Sequence, residues 1–123
     1  MISIDEVQSI LADLAAELPE EFFRELNGGI LLLPETKMSP YAKANDLYIL
    51  GEYQRGGSMG RLIKIYYGSF ERLYGYMDKD KLTVELREVL RHEFTHHLES
   101  LAGERGLEIK DEQYMNKYLG KNK

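Results

Sequence analysis

The 123-residue chain has no cysteine and no tryptophan, and only three prolines and three histidines. Without cysteine it forms no disulfide, runs no thiolate chemistry and offers no sulfur to a metal, so any bound metal must rest on histidine and carboxylate. Base is short as well. Sixteen Lys and Arg against 21 Asp and Glu leave a formal charge of -5, which excludes the clustered excess of cations that a nucleic-acid footprint needs. Long apolar runs are missing too: the longest uninterrupted aliphatic stretch is Ile30 to Leu33, against about 20 residues for a membrane-spanning helix. Asp5 and Glu6 stand where a secretory signal carries base, so the expected compartment is the cytoplasm, with neither membrane nor nucleic acid as partner.

What is present is enough for a core. With 43% apolar and 30% charged residues, the chain reads as one ordinary domain over residues 1–123, and the element pattern predicts an α+β architecture. Ser3 and Glu6 have the form of a capping box, and Ile4, Val7, Leu11, Leu14 and Leu18 recur at helical spacing up to Pro19. Pro19 opens a second, short helix through Phe22, Phe23 and Leu26, closed by Asn27-Gly28-Gly29. Ile30 to Leu33 reads as a short buried strand, and residues 35–45 as a surface loop. Leu47 to Tyr53 and Leu62 to Tyr67 form a hairpin around the glycine-rich Arg55-Gly56-Gly57-Ser58-Met59-Gly60. Ser69 is expected to cap a short helix ended by Gly75. A long helix follows from about Leu82 to Ala102 with Gly103 as its terminating glycine, and Asp111 caps a last amphipathic segment carrying Tyr114, Met115, Tyr118 and Leu119.

All three histidines fall on the long helix, in His92-Glu93-Phe94-Thr95-His96-His97, a match to H-E-x-x-H. One turn of helix separates His92 from His96, so both imidazoles can face one cation, and Glu93 sits beside the pair. Two imidazoles and one further ligand leave a tetrahedral zinc ion with an open position for water, which Glu93 can deprotonate as it attacks a carbonyl. By chance the bare motif arises in roughly one chain in a hundred of this composition, and context strengthens it. Leu82, Leu86, Val89, Leu90, Phe94, Leu98 and Leu101 fall on one broad arc, whereas Glu85, His92, His96 and Glu99 share a narrow polar stripe. A polar stripe on a mostly buried helix lines a cleft or binds something; the plainer alternative is a solvated face. His97 projects between Leu86 and Leu90, so it is expected in the core or behind the ligands. For the third ligand Asp111 is favoured because it can approach from another direction; Glu99, Glu112, Glu104 and Glu108 are the alternatives.

The stretch Leu90-Arg91-His92-Glu93-Phe94-Thr95-His96-His97-Leu98-Glu99, the following Ala102-Gly103-Glu104 and Asp111, and Ile65-Tyr66-Tyr67-Gly68 ahead of the helix resemble the small bacterial zincin-like metallopeptidases, the minimal zincins. The resemblance implies a compact zincin fold, zinc on His92 and His96, Glu93 as general base and an acidic third ligand after the helix. Many members carry glycine where this chain has Glu99, with aspartate soon after; here the connection to Asp111 is longer. The expected activity is zinc-dependent hydrolysis of a peptide or protein substrate, which would lie against a sheet edge such as the hairpin. The alternative is a zinc-stabilised module that holds a peptide or protein without cutting it. A transition-state donor is sought among the tyrosines, with Tyr114 and Tyr66 as candidates.

Overall fold

The computed structural model describes residues 1–40 and 47–105. Ser3 opens the first helix, α1 (Ile4–Ala16), by accepting the Glu6 N–H on its side-chain oxygen, and Val7, Ile10, Leu11 and Leu14 point inward. The short helix after Pro19 is a single 3-10 turn, Glu20–Phe23, and does not reach Leu26. Glu25 takes φ 60 just beyond it, a left-handed conformation that no helix continues through. The chain then enters β1 (Gly29–Leu33).

Lys37–Met38 forms β2, which pairs antiparallel with β3 (Tyr48–Ile49), so the segment expected to be loop contributes a two-residue ladder. A strand that short shows no periodicity from which it could be read. The expected first hairpin strand, Leu47 to Tyr53, divides at Leu50 into β3 and β4 (Gly51–Gln54); β4 pairs antiparallel with β5 (Leu62–Tyr66), and β1 pairs with β5 in parallel. The resulting mixed sheet has the order β1-β5-β4, which leaves β4 at an edge.

Register explains which face is core. Ile30 and Leu32 stand opposite Ile63 and Ile65, which in turn stand opposite Tyr53 and Gly51, so one face presents a continuous apolar set. Against it packs α3 (Lys79–Arg105), whose Leu82, Leu86, Leu90, Phe94, Leu98 and Leu101 are all buried, as the helical projection requires. Asp78 begins α3 by accepting the Lys81 N–H on Oδ1. Phe94 meets Phe23 edge-on, with ring centroids 5.1 Å apart, and so fixes the post-Pro19 turn to the middle of α3.

Two of the expected boundaries are corrected. The long helix runs through Gly103 to Arg105, because one interior glycine weakens a helix by only about 1 kcal/mol and does not by itself end it. Ser69 is no cap: α2 (Tyr67–Tyr74) starts two residues earlier, after Tyr66. The Ser69 hydroxyl accepts the Lys37 N–H at 2.9 Å and donates to the Lys37 carbonyl at 3.2 Å, which docks β2 on α2. Gly75 does follow α2, and a Cβ there would lie 2.4 Å from the Glu71 carbonyl oxygen. The segment capped by Asp111 lies outside the described residues. None of the described helices is long and apolar enough to cross a membrane.

Gly51 sets the distance between the edge strand and α3. A Cβ there would lie 2.8 Å from Val89 Cγ1 and 3.3 Å from the Lys64 carbonyl oxygen, so α3 approaches β4 more closely than any side chain allows. Gly51→Ala is therefore expected to lower unfolding free energy by about 1–3 kcal/mol, the range for forced overpacking, measured as a fall in the urea midpoint at constant slope.

Candidate metal site and cleft

The close approach of α3 to β4 leaves a cleft of about 840 Å³, with His92, Glu93, His96 and Glu99 on the helix side and Glu52 and Tyr53 on the strand side. The two helix histidines are exposed, and their Nε2 atoms lie 3.1 Å apart with the rings nearly perpendicular. Two nitrogens each about 2.0–2.1 Å from a tetrahedral ion are about 3.3 Å apart, so the pair already has the bite that zinc requires. Among the described residues no third His, Asp or Glu completes a metal-holding group. Asp111, like Glu108, Glu112 and Tyr114, lies outside them. Glu99 takes a different position from a ligand: its Oε1 is 3.5 Å from His96 Nδ1, the nitrogen turned away from His92. A carboxylate there favours the tautomer with the proton on Nδ1, which leaves the Nε2 lone pair for a cation. Glu85, the remaining member of the expected stripe, does not line the cleft; it faces Tyr74.

Glu93 is 5% exposed, although it lines the cleft. Its carboxylate accepts a hydrogen bond from the Tyr53 backbone N–H. The strand geometry accounts for this donor. Tyr66 N–H donates inward to the Leu50 carbonyl, so alternation along β4 turns the backbone groups of Gly51 and Tyr53 toward the outer edge. Burial raises the Glu93 pKa above the ordinary carboxyl range, helped by the negative Glu52; His96 and the Tyr53 N–H partly oppose the rise. A carboxylate displaced upward in this way is better matched to taking a proton near neutral pH.

His97 has no exposed surface, as its projection requires. Its Nε2 lies 2.8 Å from the Arg24 carbonyl oxygen, which can only accept, so Nε2 carries the proton. Nδ1 then accepts from the Tyr53 hydroxyl at 2.9 Å. The neutral ring therefore ties β4 and the Arg24 segment to α3, directly behind the strand residue whose N–H holds Glu93. Burial lowers the His97 pKa, with the positive Arg61 and Arg24 adding to it against the Arg24 carbonyl bond and Glu25. The sign follows from proton binding: below the ordinary histidine value of 6.5 the unfolded chain takes up a proton that the folded state refuses. Stability of the metal-free protein is thus expected to fall between pH 7 and pH 5.5, by at most about 1.4 kcal/mol per pH unit from this residue. His97→Gln should flatten the urea-midpoint profile over that window while lowering it throughout.

Sequence reasoning misses Glu52. It stands opposite Lys64 in the β4–β5 ladder, on the face away from α3, and accepts from Lys37 Nζ at 2.8 Å and from the Tyr66 hydroxyl. Burial alone would raise its pKa, but those two hydrogen bonds and the charges of Lys37 and Lys64 together hold it below the ordinary value. Tyr66, a candidate transition-state donor, thus has its hydroxyl directed to Glu52. The one available signal is its place in the hairpin strand, one residue before Tyr53.

No family model and no curated protein matches the chain. Among solved structures it is similar to the conserved hypothetical protein TTHA0227 from Thermo thermophilus, with 34% identity and a TM-score of 0.73, over 83% of this chain and 99% of that one. With that identity over essentially the whole of the other protein, the chain belongs to the same family as TTHA0227.

Proposed function

We propose that the protein is a zinc-dependent metallopeptidase of the minimal zincin type, with His92, His96 and Asp111 as metal ligands and Glu93 as general base. The observation that carries the reading is the 3.1 Å separation of the two Nε2 atoms at the mouth of a cleft that also holds the Glu93 carboxylate. Zinc held there supplies Lewis acidity toward water and the substrate carbonyl. The protein's own groups do the rest. Glu93 takes the proton of the attacking water and delivers it to the leaving amine. Tyr53 N–H and the helix hold its carboxylate toward the cleft. The outward-facing groups of Gly51 and the Tyr53 carbonyl offer main-chain hydrogen bonds to an extended peptide.

The test is metal content by mass spectrometry alongside cleavage of a broad peptide library. One zinc per chain, cleavage that stops on chelation and cleavage that returns with zinc are expected. Stoichiometric zinc with no peptide cut would overturn peptidase activity and leave the zinc-stabilised binding module. Retained zinc in Asp111→Ala would overturn the third ligand alone.

A further inference from the structure

The charges of the cleft are unevenly placed. Glu52, Glu93 and Glu99 line it with the histidine pair, whereas Arg55, just past the end of β4, stands at its hairpin end. There Arg55 Nη1 donates to the Ser100 hydroxyl of α3 at 3.0 Å, which bridges strand and helix. Arg55 also lines a second cavity of about 550 Å³, together with Asn27, Arg61 and the backbone of Gly56 and Gly60. Arg61 Nη1 is 3.6 Å from Glu25 Oε1, and Arg24 is close enough for its charge, like that of Arg61, to act on His97. Two guanidinium side chains, Arg55 and Arg61, thus line this cavity in a protein whose formal charge is -5.

Direction comes from the strand. Antiparallel pairing is the more stable arrangement, and a peptide paired that way on the outer edge of β4 sends its amino-terminal side toward Arg55. A guanidinium presents N–H donors in a fork that matches carboxylate geometry. We infer that Arg55 and Arg61 form a carboxylate-binding subsite, which selects peptides bearing Glu or Asp on the amino-terminal side of the residue held at Glu93. The inference rests on the cleft binding peptides, and it does not require that they be cut.

The zinc-loaded Glu93→Gln protein is titrated with fluorescein-labelled octapeptides that differ only by Glu or Gln at one position, with binding read by anisotropy. Glu in the amino-terminal half should bind about tenfold tighter than Gln, and raised salt should narrow the difference. Arg55 is exposed, so its variants test binding without disturbing the core. Arg55→Gln should remove the preference, and Arg55→Glu should reverse it in favour of Lys at the same position. Equal affinity for Glu and Gln, a preference confined to the carboxy-terminal half, or a preference unchanged in Arg55→Gln would each overturn the subsite. Absence of binding by every peptide would overturn it together with peptide recognition by the cleft. A preference that follows Arg55, in a wild-type protein that cuts nothing, would support the subsite and overturn peptidase activity alone.

Discussion

Glu93→Gln is expected to lower kcat by about 10²–10⁴-fold while zinc content and peptide affinity stay within about twofold of wild type. The substitution keeps the shape of a side chain that is almost wholly buried, and its amide oxygen can still accept the Tyr53 N–H. What it loses is the ability to hold a proton between the attacking water and the leaving amine. The size of the effect follows from the general base acting in the rate-determining proton transfers and not in binding, so KM should change far less than kcat. Single-turnover cleavage of the best library peptide, with metal content measured on the same sample, checks this. An unchanged kcat would remove Glu93 from the chemistry, and loss of zinc would reassign it to holding the metal.

Helical periodicity makes the core of the site legible in the sequence. The spacing of His92 and His96 puts them on one face, and the apolar arc correctly sends His97 inward, where it meets Tyr53 and the Arg24 carbonyl. Two runs rich in Ile, Leu and Tyr on either side of a glycine-rich connection likewise locate the β4–β5 hairpin. What escapes depends on contacts between distant segments. Glu52 reaches the cleft because Gly51, next to it, lets α3 pack against an edge strand, and nothing local in Gly51-Glu52-Tyr53 reports that approach. Ser69 reads as a cap because serine favours that position, yet its hydroxyl is used across 32 residues to hold Lys37. Glu99 shares the histidine stripe on the projection, but a projection does not tell which imidazole nitrogen a neighbour reaches. The structure puts it on Nδ1 of His96, the nitrogen turned away from His92.

The division among the three histidines gives the second large effect. His96→Ala is expected to weaken zinc binding by about 10²–10³-fold, since a structural zinc site worth about 10–16 kcal/mol over four ligands assigns each a few kcal/mol. Competition against a chromophoric chelator measures it directly. His96 is half-exposed, so the metal-free variant should melt close to metal-free wild type. The zinc-dependent rise in melting temperature should vanish in the variant, because only the folded state of wild type binds the ion tightly, and at 100 times Kd that linkage is about 2.7 kcal/mol. His97→Ala should behave oppositely. It deletes a buried ring and leaves the Tyr53 hydroxyl and Arg24 carbonyl without their partner, so the metal-free protein loses stability while the His92–His96 bite is retained. Zinc binding that survives His96→Ala, or that is lost on His97→Ala in a folded protein, would show that the adjacent pair divides its roles differently from the helix geometry.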